Sequence, residues 1–190
     1  MGVMAVSSFM VPLGTPAPDF ELPSIDGGRF ALSEVKGSPA TLVTFLCNHC
    51  PYVRRIERGL GAFAADYRDR LAIVAICSND VSAYPDDDAA HLAEQARRAG
   101  FAFPYLVDET QEVARAYKAA CTPDFFLYDR ELRLAYRGEF DNARPSNDVA
   151  VTGASLRAAV DAVLAGTTPE GPQQPSLGCG IKWKPGNEPA

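Results

Sequence analysis

Residues 40–53 read ATLVTFLCNHCPYV, and the change of pattern inside them sets how the rest of the chain is organised. Ala40 to Cys47 is a continuous run of apolar and β-branched residues, the pattern of a strand buried on both faces. At Pro51 the period changes. Proline suits the first helical position, and Val53, Ile56, Leu60, Phe63, Ala64 and Tyr67 then recur at helical spacing as one apolar stripe, within which Gly59 and Gly61 are expected to weaken or bend the helix. Leu71 to Cys77 is a second fully apolar strand. A strand, helix and strand of this length imply parallel pairing with a right-handed crossover, and hence an α/β fold.

Outward from this unit, Asp86-Asp87-Asp88 precedes the periodic residues Ala89, Leu92, Ala93, Ala96 and Ala99. Carboxylates complement a helix N-terminus, so the run is read as capping rather than as a metal site, with Gly100 closing the helix. Phe103 to Val107 predicts a third strand and Glu112 to Ala119 a helix capped near Thr110. Asp124 to Tyr128 and Leu132 to Arg137 predict two strands joined by the turn Asp129-Arg130-Glu131, a connection so short that they must be antiparallel. Leu156, Ala159, Val160, Val163 and Leu164 form a last amphipathic helix ended by Gly166. From Gly166 to Ala190 the chain carries five prolines and five glycines. The expected organisation is a domain over residues 1–166 and a Pro/Gly-rich tail over 167–190, docked through Leu177, Ile181 and Trp183.

The 190 residues are 47% apolar and 22% charged, which excludes collagen and a disordered chain. A net charge of -6 is the wrong sign for holding nucleic acid or an anionic membrane surface. The longest apolar run, Leu71 to Cys77, is far short of the roughly 20 residues that span a bilayer. The N-terminus has no basic residue ahead of its apolar stretch, so no secretory signal is expected and the expected compartment is the cytoplasm. In a reducing compartment, cysteines in a chain of this size are more often catalytic or metal-binding than stapled, which directs attention to Cys47, Cys50, Cys77, Cys121 and Cys179.

Cys50 precedes the helical Pro51 and so occupies the N-cap, where unpaired N–H groups and the helix dipole favour thiolate over thiol. It is the candidate nucleophile. Cys47 lies three residues earlier at the strand end. A Cys-x-x-Cys pair is also half of a zinc site, and Cys47, His49, Cys50 and Cys121 could form a binding module, but a second paired knuckle is lacking. No metal or cofactor is expected. Cys77 reads as core, and His49 and His91 as solvated. A second signal is Cys121-Thr122-Pro123-Asp124, where a proline at a strand entry needs a reason that a cis peptide bond would supply.

These residues resemble a known family. The order of elements, a cysteine and proline at the helix start and a Thr-Pro before the hairpin are similar to the thioredoxin-like superfamily in its redoxin (AhpC/TSA) branch, which also carries an extra helix and strand like those between Val81 and Asp108. More narrowly, FLCNHCPYV, CTPDFFLYD, YRGEFDNARP and PSLGCGIKWKPGNEP resemble the peroxiredoxin-like bacterial redoxins, over Leu13 to Pro189. The resemblance implies a mixed central sheet with helices on both faces, and an antioxidant-type thiol oxidoreductase with Cys50 in the place of the first redox cysteine. Val53 stands where the second cysteine of a thioredoxin dithiol would be. Thr122-Pro123 takes the place of the cis-proline loop that presents backbone to a substrate sulfur. The peroxidase pattern P-x-x-x-T-x-x-C is incomplete in both registers: ending on Cys50 it has Cys47 and Val43 in place of Thr and Pro, and ending on Cys47 it has Thr44 but Ala40. Arg137 could still supply a cation for a peroxide. The implied substrates are protein or small-molecule thiols and disulfides, or a peroxide, with a dithiol reductant. Cys47, Cys121 and Cys179 are the candidates for the resolving thiol.

Overall fold

The computed structural model describes residues 4–190. At its centre β4 (Ala40–Phe45) pairs in parallel with β5 (Leu71–Cys77), and β5 in parallel with β6 (Tyr105–Val107). On the other side of β4 lies antiparallel β8 (Asp124–Tyr128), followed by antiparallel β9 (Leu134–Gly138), so the order is β6-β5-β4-β8-β9. Every residue of β4 is buried, as the unbroken apolar run requires of a central strand covered on both faces. β4 is shorter than its sequence suggests. Leu46 and Cys47 leave the β4–β8 ladder, and this places Cys47 in the loop that leads to the first helix.

That helix, α1 (Pro51–Asp66), packs Val53, Ile56, Leu60 and Phe63 on one face of the sheet together with Leu92 of α2 (Ala89–Ala99) and Leu156, Ala159 and Val160 of α4 (Ala154–Leu164). Full burial of each large side chain contributes about 1.5–3 kcal/mol, which is why the apolar stripe dictates the docked face. The opposite face is covered by α3 (Glu112–Tyr117) through Ala114 and Tyr117, and by the N-terminal hairpin of β2 (Glu21–Pro23) and β3 (Arg29–Ala31) through Phe20 and Leu22. Gly61 does not break α1. A Cβ there would lie 2.0 Å from the Ala99 carbonyl oxygen, so its missing side chain lets α1 and the end of α2 approach.

The acidic run divides its labour. Asp88 caps α2, accepting from the His91 backbone N–H at 3.0 Å, whereas Asp87 lies fully buried at the end of a single 3-10 turn and reaches the cysteine loop. α3 stops at Tyr117, because Lys118 takes a left-handed backbone conformation, and Gln111 rather than Thr110 precedes it. Leu132 is likewise left-handed, so it belongs to the turn and β9 begins only at Leu134.

The C-terminal residues add a second small sheet. β10 (Leu177–Gly180) lies between β1 (Ala5–Ser7) and β7 (Cys121–Thr122), antiparallel to both, with Cys179 opposite Ala5 on one side and Thr122 on the other. Ser176 Oγ donates to the Pro123 carbonyl at 2.6 Å, and Asn79 and Gln111 receive the backbone N–H groups of Lys182 and Lys184, each at 2.9 Å.

Candidate active site

At the carboxyl end of β4 the chain turns through Cys47-Asn48-His49 and enters α1 with Cys50 at its N-cap and Pro51 at the first helical position. β8 runs antiparallel to β4, so its entry, the Cys121-Thr122-Pro123 segment, lies beside this turn. The Thr122–Pro123 peptide bond is cis. Thr122 touches both cysteines: its hydroxyl is 3.3 Å from Cys47 Sγ, and its carbonyl oxygen is 3.2 Å from Cys50 Sγ, a contact in which only the thiol form of Cys50 can donate.

The third thiol comes from the tail. Because Cys179 is in register with Thr122, its side chain meets Cys50. Gly178 makes this approach possible, since a Cβ there would stand 2.1 Å from the Thr122 carbonyl oxygen. Cys47, Cys50 and Cys179 are all buried. Hydrogen bonds from the Cys179 and Cys47 thiols lower the Cys50 pKa well below the ordinary thiol value against the opposing effect of burial, and the Val53 and Cys179 backbone N–H groups add to it. The two donors pay the reciprocal cost. Cys47 is raised by its bond to Cys50 and by burial, and Cys179 is raised for the same two reasons. Ionisation is thereby concentrated on one sulfur of three.

Around the turn stands a polar clamp that the sequence reading did not find. Asp87 Oδ1 accepts from the backbone N–H groups of Asn48 at 2.8 Å and His49 at 3.1 Å, and Oδ2 accepts from Asn79 Nδ2 at 2.9 Å and pairs with His49 Nδ1 at 2.5 Å. Burial pushes the Asp87 carboxyl up, but the hydrogen bonds from His49 and Asn79 outweigh it and hold the carboxyl below its ordinary value. Gln95 donates to the Cys47 carbonyl at 2.9 Å, and Arg98 bridges Glu57 Oε1 at 2.7 Å and Asn48 Oδ1 at 2.9 Å. Asn48, Asp87, Gln95 and Glu57 are therefore buried for a reason, each spending its polar atoms on the cysteine loop or on a neighbour that does. The only available signal was an acidic run longer than one cap requires. Gln95 and Arg98 carried none.

His49 is not a free loop residue. Its ring is only partly exposed, stacks on Tyr84 at 5.5 Å between centroids, and is held by Asp87, whose hydrogen bond raises its pKa. The four-residue set Cys47, His49, Cys50 and Cys121 does not assemble. Cys121 points its sulfur at the Pro123 carbonyl, 3.6 Å away, and burial raises its pKa, so it is core. Among the described residues the three-residue group that comes together is Cys47, His49 and Asp87, with one ligand-type atom from each inside 4.8 Å. It fits a cation poorly, because both Asp87 oxygens already accept two hydrogen bonds each. Cys77 is buried at the end of β5, and burial pushes its thiol up to about 12.

Arg137 does not reach the thiols. It stands on β9 opposite Phe126, which faces away from α1, and its Nη1 bonds Gln173 Oε1 at 2.5 Å. Arg144 is the cation beside the Thr122-Pro123 loop. It lines a narrow cleft with Tyr52, Pro123 and Leu177 and pairs with Glu139 at 2.6 Å.

A mixed five-stranded sheet, helices on both faces, and a cysteine at the N-cap after the central strand facing a cis-proline loop define the thioredoxin-like fold. Within it, the chain belongs to the AhpC/TSA family, whose model matches residues 13–137. A hypothetical protein of Sinorhizobium meliloti 1021 is 54% identical and superposes with a TM-score of 0.93 over 95% of this chain and 99% of its own. The thioredoxin-like protein YneN of Bacillus subtilis is 26% identical over 118 residues, which span 62% of this chain and 66% of that protein's length. The fold is shared with a thiol:disulfide interchange protein of the thioredoxin family from Chlorobium tepidum, at 18% identity and a TM-score of 0.62 over 81% of this chain and 99% of that one. No described helix is long and apolar enough to cross a membrane.

Proposed function

We propose that the protein is a thiol–disulfide oxidoreductase in which Cys50 is the nucleophile. The observation that carries this reading is the position of Cys50, at the N-cap of α1 directly before Pro51 and 3.2 Å from the carbonyl of the cis Thr122–Pro123 loop, because a thiol at a helix N-terminus is biased toward thiolate, the reactive form. The Cys50 thiolate attacks one sulfur of a disulfide substrate, forms a mixed disulfide and releases the other sulfur as a thiolate. A second thiol of the chain, Cys47 or Cys179, then attacks Cys50 Sγ, forms an internal disulfide and releases the remaining substrate thiol. A dithiol reductant returns the enzyme to its starting state. Thr122 holds Cys47 through its hydroxyl and pairs with Cys179 through its backbone, so its backbone edge is already taken by the chain's own tail. All five cysteines are unpaired, which suits a reducing compartment such as the cytoplasm.

Peroxide reduction is the weaker reading, because the P-x-x-x-T-x-x-C pattern is incomplete, Arg137 lies on the opposite face of the sheet, and Arg144, the cation beside the Thr122-Pro123 loop, is engaged by Glu139 at 2.6 Å. The test is alkylation with limiting iodoacetamide from pH 4 to 9, with the adduct mapped. Cys50 is expected to react first at neutral pH, and Cys50→Ser is expected to abolish both that adduct and disulfide turnover while peroxide consumption by the parent stays at background. First modification of another cysteine, or turnover surviving in Cys50→Ser, overturns the reading.

A further inference from the structure

Exchange at Cys50 leaves a proton unaccounted for: the resolving thiol must lose one before it can attack, yet both candidates are held as thiols by their bonds to Cys50 and by burial. The two differ in what stands beside them. Cys47 lies in the turn after β4, outside any ladder, with its sulfur, a ring nitrogen of His49 and a carboxylate oxygen of Asp87 all inside 4.8 Å. One water or a turn about the Cys47 side-chain bond closes such a gap. Cys179 sits in the middle of a three-stranded ladder, and the charged side chain that acts on it is Lys182, which accepts no proton at neutral pH.

We infer that the His49–Asp87 pair moves the proton of the exchange reaction and so selects Cys47 as the resolving thiol. The inference rests on Cys50 being the nucleophile. In the first step the Cys50 thiolate attacks the substrate disulfide, and protonated His49 gives its proton to the departing thiolate. In the second, neutral His49 takes the proton of Cys47, the Cys47 thiolate attacks Cys50 Sγ, the Cys47–Cys50 disulfide forms, and the substrate's second half leaves as a thiolate. His49 ends protonated as it began. Two protons enter the cycle, on His49 and Cys47, and two remain, on His49 and the first product thiol.

The geometry supports each part of that role. Asp87 is buried, fixed by three donors besides the His49 ring, and holds the imidazole through Nδ1, which fixes the ring beside Cys47. The His49 side chain is about a quarter exposed, enough for contact with a leaving thiolate. The groups that face the ring are Asp87, the phenol of Tyr84 stacked on it, Cys50, Cys47 and the tail's Lys182, and of these the Asp87 bond is the largest influence on its charge.

The experiment is a single-turnover reaction of the full-length reduced protein with one equivalent of 5,5′-dithiobis(2-nitrobenzoate), read as two releases of thionitrobenzoate between pH 5 and 9. This leaving group needs no proton, so the second release reads the base alone. His49→Gln is expected to leave the first release within about twofold, slow the second by at least tenfold and remove its rise with pH, since a general base typically contributes about 10²–10⁴-fold. Asp87→Asn keeps a carbonyl-type acceptor for the loop and is expected to move that rise to lower pH. Cys47→Ser is expected to lose the second release and Cys179→Ser to keep it. An unchanged second release and pH profile in His49→Gln, or a second release lost in Cys179→Ser but kept in Cys47→Ser, overturns the inference with Cys50 still the nucleophile. A first release that persists in Cys50→Ser overturns the nucleophile itself.

Discussion

Adding one methyl group at Gly178 tests whether the tail strand is part of the active site or only a cover for the core. The Cβ of Gly178→Ala would stand 2.1 Å from the Thr122 carbonyl oxygen, 2.6 Å from its carbon and 3.1 Å from Pro123 N, and all three are backbone atoms that cannot rotate aside. Ordinary contact begins near 3.4 Å, so β10 must retreat from β7 by more than 1 Å. Overpacking of this kind costs about 1–3 kcal/mol. Weakening the pairing of Cys179 with Thr122 adds about 0.5–1.5 kcal/mol for each hydrogen bond lost. A total of about 2–4 kcal/mol corresponds to a fall of roughly 4–16 °C in Tm for a chain of this size. The same retreat withdraws the Cys179 thiol and N–H from Cys50 Sγ, so the Cys50 pKa must rise toward the ordinary thiol value. Calorimetry gives the first quantity, and the pH dependence of iodoacetamide alkylation gives the second. A variant as stable as the parent, or one that is destabilised while its alkylation profile stays put, would refute the argument that β10 supplies the donors.

Arg98→Met strands Glu57, whose side chain is only 7% exposed against 32% for its partner, and is expected to cost about 1–3 kcal/mol in urea denaturation; a loss below 0.5 kcal/mol would show that the pair is solvent-screened. Asp124 concerns pH. Burial pushes its carboxyl up to about 8, so the unfolded chain, with a value near 3.9, releases a proton that the folded one keeps, and stability must fall as pH rises between about 4 and 8. Asp124→Asn is expected to flatten that part of the stability profile, and an unaltered slope would assign it to other groups.

Much of this was legible in the sequence because the signals were local. The change from a continuous apolar run to helical spacing at Pro51 gives β4 and α1, and the same proline puts Cys50 at the N-cap. What escaped depends on direction rather than residue type. Asp86, Asp87 and Asp88 are chemically alike, and only the 3-10 turn aims Asp87 inward at the cysteine loop while Asp88 caps α2. Arg98 ends a helix where a basic residue suits the dipole, so nothing in its position shows that it bridges Glu57 and Asn48. β10 could not be read as a strand at all: Gly178 and Gly180 have poor strand propensity, and the pairing that orders them comes from residues far away in the chain. The charge of Arg137 suits a peroxide, and the register that turns it from the thiols is not visible until β9 is paired.

Burying three thiols together has a consequence that none of them has alone. Each buried thiol resists ionisation, so a lone one, such as Cys77, stays protonated. Once one of three neighbours ionises, the other two become donors to it, and the charge that stabilises the first opposes the second and third. The cluster thus carries one negative charge, placed where the most donors converge. That place is Cys50, whose pKa the Cys179 and Cys47 thiols lower against burial, whereas burial and the bond to Cys50 raise both of theirs. The same reasoning predicts that Cys50→Ser yields no replacement nucleophile: it removes the site at which the charge is held and leaves Cys47 and Cys179 buried and protonated, so an iodoacetamide adduct on either of them at neutral pH in that variant would refute it.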